Sequence, residues 1–142
     1  MQFMIDVVFV DTNILIYAHD RDGGHKRDRA ARALQKLWSD RSGRVSAQVL
    51  QEFYVTVTKK LTSTLAHAAA REVVRTYAPW VHAPTTPETI IRATELSELA
   101  RLSFWDGLIV ASAEQVGAKS ILSEDLNTGQ VIAGIRIVNP LV

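Results

Sequence analysis

Short apolar runs alternate along this chain with segments of helical period, and that alternation constrains the fold more than any single residue. The run from Met4 to Val10 is interrupted only by Asp6, the pattern of a strand covered on both faces. It stops at Asp11-Thr12-Asn13, where a short helix carrying Ile14, Leu15 and Tyr17 begins, and Asp22-Gly23-Gly24 breaks that helix. From His25 to Ser39, Ala30, Ala33, Leu34, Leu37 and Trp38 recur at helical spacing opposite a basic face. Ser42-Gly43 then turns the chain into a very short strand at Arg44 to Ser46.

The spacing predicts a helix over Ala47 to Leu61 that presents Val49, Leu50, Phe53 and Val57 to the core. A second covers Thr64 to Tyr77, with an alanine-rich middle that favours helix. Pro79, Pro84 and Pro87 bracket a short extended piece at Trp80 to His82. Thr86 is placed to cap the next helix, with Pro87 at its first position and Ile90, Ile91, Leu96 and Leu99 along it. Ser103 opens a further helix that ends near Gly117, and strands follow at Lys119 to Leu122 and Gly134 to Val138. Strands separated by helices throughout predict a three-layer α/β/α fold around a central parallel sheet of about four to five strands.

With 142 residues and 47% hydrophobic content, the chain fits one domain with its own core, and 22% charged residues make an ordinary soluble surface. The apolar opening is too short for a membrane span and lacks the flanks of a secretory signal. The absence of cysteine excludes disulfides and thiolate metal sites, so any metal must bind oxygen or imidazole; it also fits a cytoplasmic protein. A net charge of +1 gives no global case for nucleic acid. Between Arg21 and Arg44, however, eight basic and three acidic residues leave a local +5. Taken alone, that segment reads as a solvated helix face ahead of a phosphate-binding patch.

In a parallel sheet of this kind, ligands gather beyond the carboxyl ends of the strands. Asp11 follows the first strand and Asp125 the Lys119 to Leu122 strand, so both reach the same rim. There they repel unless a cation or proton intervenes. Each acid also has a structural role open to it. Asp11 can cap the short helix, Asp125 can be a turn residue, and Asp106 stands at capping-box spacing from Ser103. Asp106 nevertheless lies among Phe104, Trp105, Leu108, Ile109 and Val110, where a charge needs a partner. Glu52 lies at the margin of an apolar helix face. The serines have no Gly-x-Ser-x-Gly setting and there is no phosphate-cradling glycine loop. His19, His25, His67 and His82 show no paired ligand spacing, and only His19 is near the expected rim. An oxygen-lined site for a hard divalent cation remains.

These residues resemble the PIN-domain ribonucleases, in particular the VapC-like toxins of bacterial toxin–antitoxin pairs. The resemblance runs from FVDTNILIYAHD through SAQVLQEFYVTVTKK to SFWDGLIVASAEQVGAKSILSEDLNTGQVIAGIRIVNP. It implies a catalytic, metal-binding quartet of Asp11, Glu52, Asp106 and Asp125, supported by hydrogen bonds from Thr12, Asn13 and Ser123. One departure is Thr128, where relatives often carry a further acid.

The resemblance also implies Mg²⁺ or Mn²⁺ as cofactor, RNA as substrate, a cognate antitoxin as partner and a homodimer. On this reading Asp11, Asp106 and Asp125 surround the metal, and Glu52 ligates it or orients the attacking water. Two other readings compete. A Mg²⁺-dependent phosphatase or phosphoacceptor needs a second acid two residues after the first, where this chain has Asn13, and a lysine at the rim, whereas Lys119 begins its strand. A non-catalytic RNA-binding or protein-interaction module on the same fold would have no need of all four acids.

Overall fold

A computed structural model describes residues 5–142; Met4, the expected first residue of the opening strand, lies outside them. Among the described residues the sheet has five strands: β1 (Val8–Val10), β2 (Gly43–Arg44), β3 (Ser120–Leu122), β4 (Val131–Ile132) and β5 (Ile135–Val138). Their order is β2-β1-β3-β5-β4, and every pairing except β4 with β5 is parallel. Six helices accompany them: α1 (Thr12–Ala18), α2 (His25–Asp40), α3 (Ala47–Lys59), α4 (His67–Tyr77), α5 (Pro87–Ala100) and α6 (Phe104–Gln115). The arrangement is the expected three-layer α/β/α fold.

Register makes the rim. Val10 pairs with Leu122, so the chain leaves β1 at Asp11 and β3 at Ser123 on one level. The ladder continues one step past both strands: the Asp11 N–H donates to the Leu122 carbonyl at 2.9 Å, and the Ser123 N–H to the Val138 carbonyl at 3.0 Å. Asp11 is therefore held by sheet hydrogen bonding before its side chain makes any contact. Phe9, Ile121 and Ile137 are fully buried on these strands and belong to one hydrophobic cluster with Ile14 and Leu15 of α1 and Val49, Phe53 and Val57 of α3. At about 1.5–3 kcal/mol for each such side chain, this core anchors the rim.

Several boundaries differ from the sequence reading. β1 starts at Val8, because its neighbour β2 has only two residues and Ile5 remains 59% exposed. β2 is Gly43–Arg44, and Val45 makes only an isolated bridge to Val81. The extended piece at Trp80 to His82 is reduced to that bridge, since Ala78–Trp80 closes a 3₁₀ turn. α4 begins at His67 instead of Thr64: the chain before it bends back, with the Leu65 N–H bonded to the Val57 carbonyl at 2.8 Å. β4 was not foreseen. It is joined to β5 by Ala133 and Gly134, both at positive φ, and an alanine in that conformation gives no turn signal in sequence.

α6 is buried from Gly107 to Ala113, in keeping with a helix apolar all round. It lies directly against α5: a Cβ on Gly107 would come within 2.6 Å of the Ala93 carbonyl oxygen. That close approach sets the depth at which α6 delivers its first turn, and Asp106 with it. Among the described residues no helix is long and apolar enough to cross a membrane.

Candidate active site

Asp11 does two things at once. As the N-cap of α1 its Oδ1 accepts the Thr12 N–H at 2.7 Å, and its Oδ2 accepts the Ser123 hydroxyl at 2.8 Å. The side chain is buried. Burial pushes its carboxyl from an ordinary value near 3.8 up to about 6, against the lowering effect of the Ser123 and Thr12 hydrogen bonds; Asp106 and Asp125 add to the rise by repulsion. Capping and site roles therefore coincide in one carboxylate.

Asn13 ties the two sides of the rim together. Its Nδ2 donates to Asp125 Oδ2 at 3.1 Å and to Asp11 Oδ2 at 3.4 Å, while its Oδ1 accepts the Glu124 N–H at 3.0 Å. Ser123 Oγ also accepts the N–H groups of Asp125 at 3.1 Å and Leu126 at 3.2 Å. These bonds shape the turn that carries Asp125 back over Asp11.

The other acids arrive from the helical side. Glu52, in the middle of α3, accepts the Thr12 hydroxyl at 3.5 Å and Gln48 Nε2 at 2.7 Å. Asp106 sits in the first turn of α6, whose N-cap Ser103 accepts its N–H at 3.1 Å. Burial raises the Asp106 carboxyl; the Ser103 hydroxyl opposes this, and the Asp125 charge reinforces it. Asp11, Glu52, Asp106 and Asp125 together line one cleft of about 150 Å³, walled also by Ile16, Gln48 and Trp105.

Among the described residues, none of the four carboxylates forms an ion pair with lysine, arginine or histidine. Like charges gathered in a half-buried cleft without a counter-charge are the electrostatic requirement for a divalent cation. The donor set fits Mg²⁺ or Mn²⁺, being all oxygen. No three acids among the described residues already converge tightly enough to grip an ion unaided. That spacing suits Mg²⁺, which keeps several waters and takes only one or two carboxylates directly. The cleft has room for an ion that keeps some of its waters.

The sequence reading went astray or fell silent at several positions. His19 does not reach the rim: its Nδ1 meets the Leu15 carbonyl at 3.0 Å, and its ring packs edge-on against Phe53 and Tyr77. Thr128 lies exposed in a turn and does not line the cleft. Gln48 was overlooked, because a glutamine one turn before Glu52 carries no pattern of its own. It is buried, and its Nε2 reaches both Glu52 and the Trp105 carbonyl, the latter at 3.2 Å. Glu124 was also missed. It accepts Tyr17 OH at 2.9 Å and pairs with Lys26 at 2.6 Å; burial pushes its carboxyl up, but the Lys26 and Tyr17 hydrogen bonds outweigh that and lower it. Lys26 therefore serves to hold the Asp125 turn, and Arg29 bonds the Leu141 carbonyl, so both are partly spoken for within the basic segment.

The profile described as PIN domain matches residues 8–131. The chain belongs to the PIN-domain family. No curated protein matches it by sequence. Among solved structures, this PIN chain is similar to FitAB bound to an IR36 DNA fragment, with a TM-score of 0.72 and 16% identity, covering 96% of both chains. It is similar to DNA-bound VapBC from Salmonella typhimurium, with a TM-score of 0.63, 22% identity and 94% and 97% coverage. It also resembles VapC20 from Mycobacterium tuberculosis, a toxin that cleaves the sarcin–ricin loop, with a TM-score of 0.62, 19% identity and 91% and 98% coverage. At these identities the likeness establishes the shared PIN fold.

Proposed function

We propose that this PIN domain is a divalent-metal-dependent endoribonuclease and the toxin of a toxin–antitoxin pair, acting in the cytoplasm. The observation that carries the reading is the gathering of four carboxylates in one cleft on the rim of a PIN fold, with no counter-charge paired to them among the described residues. A bound Mg²⁺ or Mn²⁺ would lower the pKa of a water and neutralise charge on the phosphate oxygens.

Asp11, Asp106 and Asp125 would hold the ion, directly or through water. Asp11 is oriented by Ser123 and Thr12, and Asp125 by Asn13. Glu52, held by Thr12 and Gln48, faces the same cleft and takes the proton of the attacking water. The water oxygen bonds to phosphorus as the opposite P–O bond breaks, and the departing oxygen leaves on one RNA end and takes up a proton from solvent. The two-complex likeness to FitAB and VapBC supports an antitoxin partner, and the likeness to VapC20 supports RNA as substrate. A homodimer remains part of the proposal.

The test is the Asp11→Asn variant, purified beside wild type and assayed on RNA with Mg²⁺, Mn²⁺ and chelator. The expected result is folded protein whose metal-dependent cleavage falls by more than the ~10–100-fold that loss of an outer partner costs. Undiminished cleavage would overturn the site, and RNA retention by wild type without cleavage would favour a non-catalytic module.

A further inference from the structure

A second groove opens beside the acidic cleft and shares a wall with it. Gln48, Glu52, Thr56 and Trp105 line both, and the groove continues along α3 past Gln51 and Val55 to Lys60, with Trp105 of α6 as its other wall. Its volume of about 510 Å³ lies within the ~300–1,000 Å³ typical of clefts that take small ligands. Two of its features go unused by the fold. Trp105 leaves 64% of its surface in solvent although it directly precedes a site acid on a well-capped helix. Lys60, at the far end, forms no ion pair among the described residues.

The platform is rigidly joined to the acids. Gln48 Nε2 holds the Trp105 carbonyl and the Glu52 carboxylate together, so the backbone that carries the indole and the acid share one buried anchor. Phe104 meets the Trp105 ring edge-on, with centroids 5.1 Å apart. An exposed indole offers a π-face to any nucleobase, whereas bases stacked in a duplex have no free face to give. A lysine beyond it suits the phosphate of a neighbouring nucleotide, and the amide of Gln51 and hydroxyl of Thr56 offer hydrogen bonds between the two.

We infer that the α3–α6 groove is a subsite for an unpaired nucleotide of a single-stranded RNA segment, with its base stacked on Trp105 and the adjoining phosphate on Lys60. The inference rests on the ribonuclease reading and deepens it: the acids cut next to a nucleotide that is already unstacked. A peptide of a protein partner is the competing occupant, but the continuity with the acidic cleft and the lysine at the distal end favour a polyanion.

The test measures binding apart from cleavage. In the Asp11→Asn background, labelled oligoadenylate and a blunt RNA duplex of equal length are titrated against the full chain, with gel analysis of the RNA afterwards. Adding Trp105→Ala is expected to weaken single-strand binding by roughly 5- to 100-fold and leave the duplex unchanged, while Trp105→Phe recovers most of the loss. Lys60→Gln is expected to lower the salt dependence of log K by about 0.7. Trp105 is exposed, so unchanged circular dichroism checks that its variants fold. Equal single-strand affinity with and without Trp105, whatever happens to a protein partner, overturns the subsite. Trp105-dependent binding by a wild-type protein that cuts no RNA upholds the subsite and overturns the nuclease reading.

Discussion

The two walls of the acidic cleft are built on different principles. On the sheet side, Asp11 and Asp125 belong to a closed network in which Ser123, Asn13, Thr12 and the backbone satisfy nearly every oxygen. On the helical side, Glu52 and the first turn of α6 are joined by one glutamine, whose own Oε1 is buried without a partner. The first wall is held by strand register, and the second by helix packing, with Gln48 as the side chain that links α3 to the first turn of α6.

The largest effect is expected from removing the charge stored in the first wall. The folded protein holds the Asp11 proton more tightly than the unfolded chain does, so this contribution to stability is full below about pH 4 and lost as pH rises through about 6. In metal-free protein Asp11→Asn should therefore raise stability at pH 7.5 by up to about 3 kcal/mol and change little at pH 4. Denaturant titrations at both pH values, with and without Mg²⁺, check this. In wild type, added Mg²⁺ should erase the deficit at pH 7.5 and do much less at pH 5.

Ser123→Ala comes next. Its hydroxyl bonds Asp11 and both following N–H groups, so its loss should reduce metal affinity and activity together by about 10- to 100-fold. A loss confined to kcat, with metal affinity intact, would show that the network is less closed than the hydrogen bonds imply.

Gln48→Met probes the second wall. Activity should fall by about 10-fold through Glu52, while metal affinity holds and melting temperature shifts little, because an unpaired buried oxygen is removed as well. Restored activity in Gln48→Glu would contradict a role in holding a carboxylate.

The smallest effect is expected from Ser103→Ala, which removes the cap of α6. It should cost about 1 kcal/mol in a thermal melt and lower activity less than Gln48→Met does.

Much of this was legible in the sequence, for reasons that lie in local chemistry. The continuous apolar run into Asp11 required a buried strand ending at a rim, and Thr86-Pro87 required a helix start; α5 indeed begins there, with Thr86 and Thr89 bonded as a capping box. Gathering Asp11 and Asp125 at one rim followed from parallel strand direction alone. Element ends were less legible, as with β1 and α4, because pairing partners and chain reversals decide them. The short β4–β5 hairpin escaped because Ala133 adopts a positive φ that its side chain does not advertise.

Local pattern dictates most of the alternation of strands and helices, the oxygen-only chemistry and the two acids that leave strands. Those properties follow from hydrophobic period and residue type, which act over a few neighbours. Only the tertiary structure decided that Glu52 and Asp106 share a cleft with them, that His19 turns inward, and that Gln48 joins an acid to an exposed tryptophan. Such contacts join residues tens of positions apart. They depend on how deeply α6 seats against α5 and how α3 packs beside α1, which no local pattern records.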